Sequence, residues 1–274
     1  MTDGDTTEGG AVEGGAVDGG DAWRGRVIDA HGHLGSWFNF AIPDPSTAGL
    51  LSVMDRAGVA TMCVSHLLGV GPDARAGNAL LLAELARRPG RLLGYAVYDP
   101  HDRQAPARLA ELLDEPAVIG VKLHPDTHQY PLDGPAYAPA FALAADRGRL
   151  VLSHGEHGSA WSDPERFATV AARHPGVPLL MGHAGLWPAG FDAAARVADR
   201  CPNVVLEICG SRMTARHLAR LVATAGADRM VFGSDALFLD LRVGLGRVVL
   251  APIAPADRDL LLFGTMTRLL KGTR

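Results

Sequence analysis

The feature that most constrains this chain is an alternation. A short, nearly continuous apolar run ending in a polar residue is followed by a longer segment of helical period, eight times over after Trp23. The runs span Val27 to His33, Val59 to His66, Leu92 to Tyr98, Val118 to His124, Leu150 to His154, Leu179 to His183, Val204 to Cys209 and Met230 to Asp235. Continuous apolarity marks strands buried on both faces. The segments between them stop at Gly or Pro, as in Arg56-Ala57-Gly58, Arg87-Arg88-Pro89-Gly90, Asp146-Arg147-Gly148, His174-Pro175-Gly176 and Thr224-Ala225-Gly226, which is how helices end. Recurring strand–helix units predict a parallel sheet. Eight of them in about 250 residues predict an α/β fold, the (β/α)8 TIM barrel. A last helix over Pro255 to Leu270 is expected to close the ring, with Leu237 to Ile253 as the eighth crossover.

An open doubly wound sheet is the other fold with this rhythm, and it usually carries a glycine-rich phosphate loop after its first strand. That position reads Asp29-Ala30-His31-Gly32-His33-Leu34-Gly35, which is neither GxGxxG nor a Walker loop. Residues 23–274 are therefore expected to form one barrel domain. Residues 1–22 are acidic and glycine-rich, with too little apolar surface to offset ordering entropy, and are expected to be a flexible tail. A hydrophobic content of 47% is ample for one large core.

The formal charge of -4 supplies no basic field for a phosphate backbone, so a small-molecule substrate is expected rather than nucleic acid. Cys63, Cys201 and Cys209 form no CxxC pair and no even framework, which points to a reducing compartment. The start of the chain lacks the basic and apolar regions of a secretory signal, and no apolar run is long enough to span a bilayer. A cytoplasmic location is expected.

In such barrels the chemistry sits where the strands end at their C-terminal side. Here the predicted strands end in His31 and His33, His66, His124, His154, His183 and Asp235, which places six of the 11 histidines at strand ends. His31 and His33 are two residues apart, so on an extended strand their side chains share one face and can converge on one ion. That pair alone says little. Its recurrence with His154, His183 and Gly233-Ser234-Asp235 on separate strands points to a metal site.

These residues resemble the amidohydrolase superfamily, in particular its amidohydrolase-2 branch. The likeness lies in Ile28-Asp29-Ala30-His31-Gly32-His33, Gly120-Val121-Lys122-Leu123-His124-Pro125, Met181-Gly182-His183-Ala184-Gly185, Phe232-Gly233-Ser234-Asp235 and Leu262-Phe263-Gly264-Thr265. The resemblance implies one divalent ion held by His31, His33, His154 and Asp235, with His183 polarising the substrate or steering water. Zinc suits imidazole and carboxylate donors best, with manganese, iron or cobalt as alternatives. TatD-type nucleases share the first strand but carry glutamate on the fourth, where this chain has Lys122 and His124. Members with two metals bridge them through a carbamylated lysine, a role open to Lys122, although the KLHP pattern accompanies one metal. Thr265 replaces the usual asparagine at a supporting position. Members of the family often pair, so a homodimer is an expectation.

Such a site would activate water for hydrolysis of an amide, lactone or ester, with Asp235 moving the proton. The same apparatus runs non-oxidative decarboxylation of an unsaturated or aromatic acid, and the motifs do not separate the two. Lys122, His124 and Arg212 are candidate substrate-binding residues, Arg212 as a carboxylate clamp. Glu207 is expected as a buried partner of Lys122 or Arg212. His66, Glu156 and His157 are read as packing or loop residues, with a supporting role beside His154 open to the last two. Trp37, Phe38, Phe40, Trp161 and Trp187 are candidate pocket walls. His101, His128, His174 and His217 are assigned to the surface.

Overall fold

A computed structural model describes residues 22–272 of the chain. The expected acidic tail falls almost wholly outside the described residues. The eight predicted strands are present as β1 (Val27–Leu34), β2 (Val59–His66), β3 (Leu92–Val97), β4 (Val118–Leu123), β5 (Leu150–Ser153), β6 (Leu179–Met181), β7 (Val204–Glu207) and β8 (Met230–Val231). They pair in sequence order and in parallel. The ring closes where Ala30 N donates to the Phe232 carbonyl and Asp235 N to that of His31, each at 2.8 Å, and Gly32 bridges Ala236. This is the (β/α)8 TIM barrel.

The helices are α1 (Thr47–Ala57), α2 (Leu67–Val70), α3 (Ala74–Arg87), α4 (Ala105–Leu113), α5 (Pro125–His128), α6 (Ala138–Asp146), α7 (Pro164–Arg173), α8 (Pro188–Arg200), α9 (Ala215–Ala225), α10 (Leu241–Val249), α11 (Pro255–Asp259) and α12 (Thr265–Gly272). Local chemistry fixes their ends. Ser46 caps α1 by accepting from Gly49 N, and Gly58 terminates it in the left-handed conformation that glycine tolerates. Thr214 and His217 form a reciprocal capping box at the start of α9. One apolar cluster fills the space between sheet and helices, and a second, including Ala30, Cys63, Tyr95 and Leu152, plugs the barrel interior.

Three expectations change in detail. β6 stops at Met181 because His183 and Ala184 turn left-handed, with φ of 60° and 45°. β8 stops at Val231, and Asp235, expected within it, lies beyond with φ of 61°. The predicted terminal helix is broken by a π turn over Leu260–Gly264. Thr265 N bonds the Leu260 carbonyl there, which leaves the carbonyl of Leu261 to accept from Phe232 N at 2.9 Å on the strand side.

Asn78 ties α3 to the end of β3. Its buried amide donates to the Val97 carbonyl at 2.9 Å and accepts from Val97 N at 2.8 Å. Replacing it by alanine strands both groups, and a buried unpaired group costs about 1–3 kcal/mol. Asn78→Ala is expected to lower unfolding stability by about 2–4 kcal/mol in a urea titration, with the denaturant slope unchanged.

Candidate metal centre and active site

The ends of β1, β4, β5 and β6, with the segments after β7 and β8, surround a cavity of about 340 Å³. His31, His33, Lys122, His124, His154, His183 and Asp235 line it, together with the aromatic side chains of Trp37, Phe40 and Phe238, the last packed 5.2 Å from the His33 ring. A separate cavity of about 290 Å³ lies between α3 and α4, away from these groups.

His31 and His33 share a face of β1, as their spacing requires, and each ring is held from behind. His31 Nδ1 donates to Glu207 Oε2 at 2.7 Å, and His33 Nδ1 meets Ser65 Oγ at 3.1 Å. The Nε2 atoms are left to face Asp235 Oδ1, at 3.7 Å from His31 and 3.1 Å from His33. Burial keeps both rings neutral, well below the usual histidine range for His31, where the Lys122 charge adds to the effect. Burial alone would raise the Asp235 carboxyl, but the His33 hydrogen bond outweighs it, and the group lies below its usual range and is ionised. Two neutral imidazoles and a carboxylate, their donor atoms within 4.8 Å of one another, fit a borderline divalent cation. The outward nitrogens already have the partners that such ligands carry.

His154, the expected fourth ligand, lines the same cavity but is not part of that set of three. Its ring stacks on His124 at 4.4 Å, and its Nε2 lies 3.7 Å from Asp126 Oδ2 and 3.6 Å from Glu156 Oε2. Asp126 is held by the hydroxyls of Ser159 and Ser162, and Glu156 by the Trp187 indole N–H at 2.9 Å. The contact with His154 brings the Glu156 carboxyl down to about 2. Glu156 thus takes the supporting position beside His154, while His157 pairs with Asp163.

Lys122 is buried and its ammonium donates to His31 Nε2 at 2.7 Å. His124 Nδ1 accepts from Thr127 N at 3.2 Å, so its proton sits on Nε2. Arg212 is not among the residues lining the cavity; it is exposed, with its guanidinium 3.7 Å over the Trp187 ring. Trp161 and Trp187 likewise stand outside the lining, and Phe38 is 87% exposed. His66 caps α2, accepting from Leu68 N.

Two expectations are corrected. Glu207 pairs with His31 rather than with Lys122 or Arg212, because β7 brings it beneath the β1 ring. His128, assigned to the surface, is buried against Tyr137, whose hydroxyl lies 2.9 Å from its Nδ1. Sequence reasoning missed Ser65, Asp126, Cys209 and Asp29 as site-forming residues. Asp29 lies under the site, accepting from His31 N and Ser234 N across the β1–β8 seam, and burial pushes its carboxyl up to about 7. Ser65 and Cys209 each lie at or just past a strand end, which was the available signal.

A family model described as amidohydrolase matches residues 28–271, and the chain belongs to that family of metal-dependent enzymes. No curated protein matches the sequence significantly. Among solved structures, an uncharacterised TIM-barrel protein from Bordetella bronchiseptica superposes with a TM-score of 0.74 at 20% identity, covering 90% of this chain and 99% of its own. A dihydroxybenzoic acid decarboxylase from Polaromonas, holding manganese and the inhibitor 2-nitroresorcinol, gives 0.71 at 17% identity, with 90% and 97% covered. A provisionally named 2-pyrone-4,6-dicarboxylic acid hydrolase from Pseudomonas putida gives 0.69 at 19% identity, with 91% and 98% covered. These likenesses establish the shared barrel.

Gly233 explains part of the Gly-Ser-Asp motif. A Cβ there would lie 2.1 Å from Glu207 Oε1 and 2.9 Å from His31 Cβ, so only glycine lets the carboxylate reach the β1 ring. Gly233→Ala is expected to cost about 1–3 kcal/mol in denaturant unfolding through this overpacking.

Proposed function

We propose that this member of the amidohydrolase family is a metal-dependent hydrolase of a small amide, lactone or ester. The observation that carries the reading is the convergence of His31 Nε2, His33 Nε2 and the ionised Asp235 on one point of a cavity open to small molecules. His31, His33 and Asp235 would hold one divalent ion, zinc before manganese, iron or cobalt, with His154 as the fourth ligand. Such an ion supplies Lewis acidity and a water of lowered pKa. Asp235 accepts the proton of the attacking water and returns it to the leaving group. His183, neutral because burial brings its ring down to about 3, either steers that water or polarises the substrate. His124, with its proton on Nε2, and Lys122 bind substrate oxygens from the β4 side.

Decarboxylation of a small unsaturated or aromatic acid is the second reading. The presence of Trp37, Phe40, Phe238 and Lys122 in the lining of one cavity favours it, because a flat ring fits against aromatic side chains and a carboxylate against the cation.

Purified protein is expected to hold about one equivalent of exchangeable metal, and chelation to abolish turnover until metal is restored. Asp235→Asn, whose side chain tolerates the left-handed backbone, is expected to lower kcat by about 10²–10⁴-fold with the circular dichroism spectrum unchanged. In a screen of lactones, amides and unsaturated acids, hydrolysis places oxygen from labelled water in the product. Release of carbon dioxide with no label incorporated would establish the second reading instead. Active protein free of metal would overturn both.

A further inference from the structure

Two roles stand open for His183, and the ring's tautomer decides between them. A ring with its proton on Nε2 can donate to a substrate oxygen; a ring with its proton on Nδ1 presents a bare Nε2 that accepts from water. We propose that Cys209 is a positioning residue that holds His183 in the second form, so that His183 presents a hydrogen-bond acceptor rather than a donor to the cavity.

The argument rests on the donors around Glu207. Its Oε1 accepts from Cys209 N at 2.6 Å, and its Oε2 from His183 N at 3.2 Å, both backbone amides that can only donate. His31 Nδ1 stands 2.7 Å from Oε2, with its Nε2 facing the Lys122 ammonium, which can only donate; the proton of His31 is therefore on Nδ1. Every group around the carboxylate donates to it. The Cys209 thiol, 3.0 Å from Oε2, falls in the same position and gives its single proton to Glu207. Its sulfur then has only lone pairs to offer His183 Nδ1, also at 3.0 Å. The contact is a hydrogen bond only if Nδ1 carries the proton. Nδ1 being engaged, Nε2 is the nitrogen left to the cavity that the ring lines. Glu207 thus sets both rings, His31 directly and His183 through the thiol.

The inference rests on His183 facing the reaction, but its test reads the ring itself and stands whichever reaction the cavity performs. Nitrogen NMR of protein labelled in its histidine rings separates a protonated from a bare ring nitrogen, and His183→Gln identifies the His183 signals by their loss. Wild type is expected to show a protonated Nδ1 and a bare Nε2. Cys209→Ser, which keeps a donor and an acceptor in place, is expected to preserve that pattern, while Cys209→Ala is expected to shift the ring toward the other tautomer or to a mixture. A wild-type ring protonated on Nε2 overturns the proposal, as does an unchanged pattern in Cys209→Ala. If the alanine variant does not fold, the wild-type tautomer still decides.

Discussion

The arrangement of the site depends on one buried carboxylate. Glu207 has no exposed surface, and burial raises the cost of its charge, so it is tolerable only where donors surround it. The donors come from separate strands: the His31 ring from β1, the His183 amide from the turn after β6, and the Cys209 amide and thiol from just past β7. A group that must collect partners from several elements fixes those elements relative to one another. Gly233 on the β8 side leaves the space into which the carboxylate fits.

Two residues that face the cavity, His183 and Asp235, sit in left-handed backbone conformations. A histidine or aspartate held there costs of order 1–3 kcal/mol, which the surroundings must offset. They do so with backbone bonds. Asp235 N donates to the His31 carbonyl, His183 N to Glu207, and the His183 carbonyl accepts from Leu186 N. Both residues leave the strand ladder and line the cavity at the barrel's C-terminal end.

Much of this was legible in the sequence, and the reason is periodicity. Strands buried on both faces announce themselves as apolar runs, and all eight were read, β2 to the residue. The polar residues that end those runs gave His31, His33, His124, His154, His183 and Asp235, which share one cavity. Less legible were the last residues of β6 and β8, because the left-handed turns at His183 and Asp235 follow from tertiary contacts rather than local propensity. Glu207 and His31 are 176 residues apart, and no spacing rule pairs them. Arg212, expected as a carboxylate clamp, is outside the cavity lining and stacks on Trp187, a destination that composition does not encode.

The seam between β1 and β8 also says something about how the molecule comes into being. His33 and Asp235 meet across 202 residues of chain, and the hydrogen bonds that close the barrel join β1 to the segment just past β8. A ribosome delivering this chain releases the first strand long before its neighbour on that side exists. Until then β1 presents an unpaired edge, the kind of surface that recruits other chains. The gathering of the three donors therefore waits until the segment past β8 has been made.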